Sequence, residues 1–165
     1  MKKVGIVTFK ENAQAYEALS QLKQISKSNT LAIKQAALIK KSFDGTKFVV
    51  KDQLDYQSEE RVFTGGLIGI IVGILGGPLG ILCGWIVGDL AGVSTNYIQN
   101  KKLNTIFDRI AATIKNDEIS LLIYMEEEDV ELLNTMVVDK LHGHIERFDY
   151  AKVKEDIDEA KKHLH

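Results

Sequence analysis

The chain has few of the features that identify particular classes of protein. It has one cysteine and one proline among 165 residues, and its net charge at pH 7 is only −2. A single cysteine, Cys83, excludes an intramolecular disulfide and is compatible with a reducing compartment. The near-neutral charge argues against nucleic acid as a partner. Neither GxxxxGK[ST] nor GxGxxG occurs, which argues against a nucleotide site in a glycine-rich loop.

Glycine, by contrast, is concentrated in one segment. Ten of the 13 glycines lie in residues 65–92, GGLIGIIVGILGGPLGILCGWIVGDLAG. A spacing of four residues places glycines in a row along a helix, and Pro78 can start a helix but cannot continue one. The pattern predicts a helical hairpin with arms near 63–76 and 79–98 and a turn at Pro78. The two rows consist of Gly65, Gly69, Gly73, Gly76, Gly77, Gly80, Gly84, Gly88 and Gly92.

Nearly all other residues of this segment are apolar, so their side chains must be buried against lipid or protein. Glycine costs roughly 1 kcal/mol per residue in a helix relative to alanine, and close helix packing along a glycine row offsets that cost. The other faces require lipid or protein, because a helix that is apolar all round is normally buried. We expect the following side chains on this apolar or lipid-facing surface: Leu67, Ile70, Ile71, Ile74, Leu82, Trp85 and Ile86.

The lengths of the arms leave several environments open. A first arm of about 14 residues covers roughly 21 Å, which is less than the hydrocarbon core of about 30 Å. A spanning hairpin, a re-entrant hairpin, a hairpin buried between several copies and one buried in a monomer all remain open. If the hairpin spans a membrane, the lysines and arginine on both of its flanks favour the cytoplasmic side for the rest of the chain.

Outside this segment the periodicity predicts an α+β domain. Residues 1–61 and 100–165 form one discontinuous domain, into which residues 62–99 are inserted. The order β-α-β-β-[hairpin]-α-β matches a ferredoxin-like core, followed by a C-terminal α-β-α extension. The predicted elements of the core are a strand at 2–9, a helix capped by Asn12 and ending near Asn29, strands at 32–43 and 47–54 joined by a type I′ turn at Asp44-Gly45, a helix at 100–116 and a strand at 118–125.

In the extension we expect a helix capped by Asp129 and ended by Gly143, a short strand HIERFDY, and a last helix at 152–164.

Three segments resemble those of a family of bacterial and archaeal proteins, which are predicted membrane proteins of unknown function. These segments are KKVGIVTF, the glycine-rich block, and LNTIFDRIAATIKNDEISLLIYMEE. The resemblance covers nearly the whole chain and implies a glycine-zipper hairpin within a ferredoxin-like domain. It also implies association with a membrane or an oligomer, and it carries no catalytic residues.

Few residues indicate chemistry. His142 and His144 form H-G-H, and His163 and His165 form H-L-H. No cysteine or HExxH pattern completes a metal site, so we expect neither a metal nor a cofactor, and His142 suits the end of a helix. Cys83 is interpreted as a small buried side chain. The acidic run at 126–131 is interpreted as a solvated cap at a helix N-terminus.

These observations favour a non-enzymatic protein that self-assembles, associates with a membrane, or does both through its hairpin. Its expected partners are other copies of itself and membrane lipid. A membrane-associated protein with its α+β domain in the cytoplasm is expected, and a soluble cytoplasmic oligomer stays open. The alternative is a small-molecule-sensing or regulatory protein-interaction domain of ferredoxin-like type, by analogy of fold.

Overall fold

One antiparallel sheet with helices on both faces forms the part of the chain that the structure describes. A computed structural model describes residues 1–25, 28–45, 47–55, 66–76 and 105–162. The five strands are β1 (Lys2–Thr8), β2 (Leu31–Lys41), β3 (Phe48–Asp55), β4 (Ile119–Glu127) and β5 (His144–Asp149). The five helices in these ranges are α1 (Asn12–Gln24), α2 (Leu67–Gly76), α3 (Ile106–Thr113), α4 (Glu131–Asn134, continued as a π-helix over Thr135–Lys140) and α5 (Tyr150–Lys161).

The strands lie in the order β3-β2-β4-β1-β5, and every neighbouring pair is antiparallel. β4 therefore lies between β1 and β2, which run parallel to each other and are connected through α1. β3 forms one edge of the sheet and β5 forms the other. The predicted α+β class is thus confirmed, with one sheet as its centre.

Helices pack against both faces of the sheet. The side chains of each strand point alternately to these two faces. On one face, Val7, Leu121 and Ile123 pack with α1 and α4. On the other, Val4, Ile6 and several neighbours pack with α2, α3 and α5. The sheet therefore separates two hydrophobic cores, and α2, the described part of the glycine-rich segment, belongs to the second.

A register shift in β2 turns one polar side chain towards this second core. The pairing with β4 shifts between Ile33 and Gln35, so that Ile33 opposes Met125 and Gln35 opposes Tyr124. Such an irregularity can re-aim a side chain within a strand. Gln35 consequently lies on the α2 side and is only 1% exposed.

The predicted start of α1 is corrected by one residue. Glu11 caps the helix, and its N–H donates to Gln14 Oε1 at 3.2 Å. Asn12 is the first helical residue, and its Oδ1 instead accepts from the N–H of Ile119 at 2.9 Å. The helix ends at Gln24 rather than near residue 29.

The predicted β2–β3 hairpin is confirmed, but its turn is not of type I′. Gly45 has a φ of 75°, and its N–H donates to Ser42 O at 2.9 Å. Type I′ requires positive φ at both central residues, and among the described non-glycine residues only Asp117 and His142 have one. The loop is also longer than two residues, since Ser42 N–H donates to the Lys47 carbonyl at 2.8 Å.

The end of the α4 region departs from the prediction that Gly143 terminates it. His142 takes the left-handed conformation, with a φ of 55°. Gly143 N–H donates to Val137 O at 2.7 Å, and a Cβ on Gly143 would overlap the ring of Phe9. Gly143 is therefore required for close approach of two segments, whereas the left-handed residue that ends the helix is a histidine.

Candidate functional site

The candidate site is α2, the described part of the predicted first arm. It starts after Gly66, and the N–H of Ile68 in its first turn is bound by the buried Gln35, whose Oε1 lies 3.2 Å away. This bond supplies an acceptor to one of the free N–H groups at the helix start. A Cβ on Gly66 would overlap the Gln35 amide. The glycine thus permits the contact that anchors α2 to β2.

One face of α2 is packed into the domain. Ile68, Ile71, Ile74 and Leu75 are buried in the core that also contains residues of β1, β2 and α3. Two residues expected on the apolar or lipid-facing surface, Ile71 and Ile74, therefore face the sheet instead. The sequence did not distinguish this face, because every non-glycine residue of LIGIIVGILG is apolar.

The opposite face of α2 carries Gly69 and Gly73, whereas Gly76 lies beside β3. Gly69 is half-buried, whereas Gly73 and Gly76 are exposed. Among the residues that the structure describes, no atom would lie within 4 Å of a Cβ on Gly73, and a Cβ on Gly76 would lie 3.4 Å from the Phe48 carbonyl oxygen. The outer surface is consequently a shallow, uncharged groove.

Leu67 and Ile70, which were expected on the apolar surface, are half-buried and pack against the edge of the core. They border the glycine groove while remaining attached to the domain. Together with Gly69 and Gly73 they form what we call the outer face of α2.

The other predicted site residues lie outside the described ranges, so the turn and the second arm remain predictions. These residues are Gly65, Gly77, Pro78, Gly80, Leu82, Gly84, Trp85, Ile86, Gly88 and Gly92.

Among the described residues, no helix has the length and apolar character needed to cross a membrane. α2 has 10 residues, which corresponds to about 15 Å at 1.5 Å per residue.

The histidines of H-G-H lie on the surface, beside the sheet end. His142 and His144 are both exposed, and His144 pairs with Thr8 across β5 and β1. In the described ranges, no three side chains of histidine, cysteine, aspartate or glutamate are grouped for a metal ion. His163 and His165 fall outside those ranges.

The acidic run is not uniformly solvated, which corrects its interpretation as a solvated cap. Glu127 is 1% exposed. Its Oε1 accepts from Arg147 Nε at 2.7 Å and Lys3 Nζ at 3.2 Å, and its Oε2 accepts from Arg147 Nη2 at 3.0 Å. These bonds tie together the ends of β4, β1 and β5. Burial of Glu127 depends on the pairing of distant strands, so spacing within the run gives no signal for it.

The neighbouring acidic residues have separate roles. Glu128 accepts from the N-terminal ammonium of Met1 at 2.7 Å, and this hydrogen bond and the positive charge lower the pKa of Glu128. Asp129 Oδ1 accepts from Glu131 N–H at 2.9 Å, although the N-cap residue of α4 is Val130 rather than the predicted Asp129. The run therefore anchors the N-terminus and the start of α4.

A buried lysine was not anticipated. Lys41, at the end of β2, is 4% exposed, and its Nζ donates to the carbonyl oxygens of Ala111 and Ile114 at 3.0 and 3.2 Å. Burial lowers the pKa of Lys41. The ammonium supplies donors to the last turn of α3, a favourable place for a cation.

No protein-family model, curated protein or solved structure matches the chain.

Proposed function

We propose that the protein is a non-enzymatic, self-assembling protein whose assembly surface is the outer face of α2, continued by the second predicted arm at 79–98. The observation that carries the proposal is the open groove at Gly73, where an added Cβ would meet no atom of the described residues within 4 Å. A glycine groove allows the backbone of another helix to approach closely. The partner is a second copy of the chain.

The uncharged character of α2 supports the same proposal. Its sequence, LIGIIVGILG, has no side chain that could hydrogen-bond to water, although Gly73 and Gly76 are exposed. A surface helix ordinarily has a polar outer face. Contact with an apolar partner would account for the absence of one here.

The proposed assembly surface belongs to a ferredoxin-like domain. Residues 62–99 form a hairpin that is inserted into this domain. The arrangement of β1 and β2, connected by α1 and separated by β4, supports such a core, since a split β-α-β unit has this form. The resemblance to predicted membrane proteins with a glycine zipper also supports it. In this assignment β3 leads into the inserted hairpin, and α2 belongs to its first arm.

The proposed location is the membrane, with the α+β domain on its cytoplasmic side. Membrane lipid would cover those apolar side chains of the hairpin that other copies leave exposed. Packed helix pairs in bilayers are likewise surrounded by lipid on their outer faces. The basic residues Lys47, Lys51 and Arg61 before the hairpin, with Lys101 and Lys102 after it, favour this orientation.

The proposed assembly surface is tested by placing a leucine in the groove. A Cβ at Gly73 meets no described atom within 4 Å, and removing a glycine favours the helix by roughly 1 kcal/mol. The α+β domain should therefore stay folded while the bulky side chain prevents close helix approach. Ser20→Leu adds the same side chain to the exposed side of α1, on the opposite face of the sheet, and serves as the control.

The measurement is the mass of the full chain by light scattering, with and without detergent, together with membrane fractionation. Gly73→Leu should reduce the assembled mass, and Gly84→Leu should do the same on the second arm, while Ser20→Leu should not. Circular dichroism should show a folded domain in all three variants. An unchanged mass for Gly73→Leu would refute the assembly surface. Recovery of the assembled wild type without any membrane would assign it to a soluble oligomer.

A further inference from the structure

A polar cleft lies at one end of the sheet, away from the outer face of α2. Its volume is about 420 Å³, within the range of small-molecule sites. Three segments form its walls: residues 8–10 after β1, residues 113–118 between α3 and β4, and residues 142–144 before β5. The cleft thus combines segments that are far apart in the sequence.

Contacts between neighbouring segments fix the walls of the cleft, and these contacts do not involve the charged side chains that line it. The side chain of Asn12 accepts from Ile119 N–H at 2.9 Å and donates to Asp117 O at 3.4 Å, which joins the start of α1 to the loop before β4. Gly143 lies against the ring of Phe9, which joins the third wall to the first. The cleft is therefore formed before any ligand binds.

Cationic side chains predominate around the cleft. Lys10 and Lys115 line it and are exposed, and neither forms an ion pair with any described residue. His142 and His144 add two imidazoles, which become cationic when protonated. Glu118 is the one carboxylate in the lining. The charge of Lys10 and Lys115 is available to a ligand, because no acidic side chain in the described ranges forms an ion pair with either lysine.

The C-terminus of α3 repels an anion in the cleft only weakly. α3 ends beside the cleft, and the C-terminus of a helix carries partial negative charge. The buried ammonium of Lys41 binds the Ala111 and Ile114 carbonyl oxygens at this end. It therefore offsets much of that negative charge.

We propose that this cleft binds a small phosphate monoester that carries hydroxyl groups. Lys10 and Lys115 bind the phosphate oxygens, for which charge-assisted hydrogen bonds are strong. Glu118 accepts a hydrogen bond from a ligand hydroxyl, which distinguishes such an ester from inorganic phosphate. His144 and His142 donate further hydrogen bonds through their ring N–H groups.

The probe for this proposal is sn-glycerol 3-phosphate, titrated calorimetrically into the full chain. Inorganic phosphate and glycerol are titrated in parallel, because they represent the two halves of the probe. The ester should bind saturably and more tightly than phosphate, and glycerol should show no binding. Lys10→Gln and Lys115→Gln should each weaken ester binding about tenfold, the typical effect of removing a hydrogen bond to a charged group.

Two further variants separate specific binding from general attraction. Glu118→Gln should bring the affinities for ester and inorganic phosphate closer together, since it weakens the hydroxyl contact and removes a repulsive charge. Lys154→Gln removes an exposed lysine of α5 outside the cleft and should leave binding unchanged. Gly73→Leu should also bind the ester normally, because the cleft is independent of the assembly surface.

The proposal is overturned if the ester shows no saturable binding, or if it binds no more tightly than phosphate. It is also overturned if Lys154→Gln loses as much affinity as Lys10→Gln and Lys115→Gln. The replaced lysines are all exposed, so loss of the fold does not explain a loss of binding. Far-UV circular dichroism of each variant verifies this.

Discussion

Replacing Lys41 with methionine should lower the free energy of unfolding by about 2–4 kcal/mol at pH 7. The Lys41 ammonium is the donor for two buried carbonyl oxygens, those of Ala111 and Ile114, at the end of α3. Carbonyl groups in the last turn of a helix have no N–H partner within the helix. Methionine fills a similar volume but donates no hydrogen bond, so both oxygens lose their donor.

The magnitude combines two opposing effects. A buried acceptor left without a donor costs about 1–3 kcal/mol, which for two acceptors sets an upper bound of about 6 kcal/mol. Against this, methionine avoids the cost of burying an ammonium. That cost is real here, because burial lowers the pKa of Lys41. The net expectation therefore lies below the upper bound and still favours lysine.

The lowered pKa of Lys41 also determines how the effect changes with pH. Between the folded-state pKa and the ordinary lysine value of 10.5, the unfolded chain binds more protons at this position than the folded chain. The free energy of unfolding due to Lys41 then rises with pH. The stability difference between the wild type and Lys41→Met should consequently widen as the pH increases through that window.

The assay is urea unfolding followed by circular dichroism, at matched protein concentration because assembly shifts apparent stability. Lys40→Met is the control, since Lys40 is the adjacent residue and its ion pair with Asp117 lies at the surface. A surface pair of this kind contributes at most about 1 kcal/mol. Equal stabilities of Lys41→Met and wild type, or a difference that narrows at alkaline pH, would refute the reasoning.

The remaining predictions concern two further buried polar contacts, those of Glu127 and Gln35. Glu127→Gln should lower the free energy of unfolding by about 3 kcal/mol, because it removes the carboxylate of a buried ion pair. Glu126→Gln should change it by less than about 0.5 kcal/mol, since Glu126 is exposed, and equal urea midpoints for the two variants would contradict the role of Glu127. Gly66→Ala should cost roughly 1–3 kcal/mol by displacing the Gln35 amide from α2, and Gly73→Ala, where the added Cβ meets no described atom within 4 Å, should not. Increased hydrogen exchange at Ile68 N–H in Gly66→Ala would identify the lost contact.

Much of the local structure follows from sequence periodicity. β1, the β2–β3 hairpin, β4 and β5 lie close to their predicted positions, because strand signals depend on residues that are neighbours in the chain. The apolar face of α3 follows from a short-range pattern for the same reason, whereas the N-cap of α4 is displaced by one residue, from Asp129 to Val130. The glycine spacing predicted a first arm near 63–76, and the described part of this segment contains the helix α2 (Leu67–Gly76).

The pairing of strands required the tertiary structure. Placing β4 between β1 and β2 depends on which distant segments cover each other, and local periodicity carries no information about that choice. The same applies to the faces of α2, where Ile71 faces the core and Gly73 faces outward. All the side chains of this helix are apolar, so hydrophobicity alone could not orient it.

The buried polar groups also became evident only in three dimensions. Gln35, Lys41 and Glu127 occur in a sequence context typical of solvated side chains. Each is buried because a partner from a distant segment, Ile68, Ala111 or Arg147, lies within hydrogen-bonding distance. The sequence by itself thus determined the approximate positions of the described strands and helices and the apolar, glycine-rich character of one helix. The tertiary structure decided which polar groups are buried and which helix face is open, because both depend on atoms brought together across the sheet.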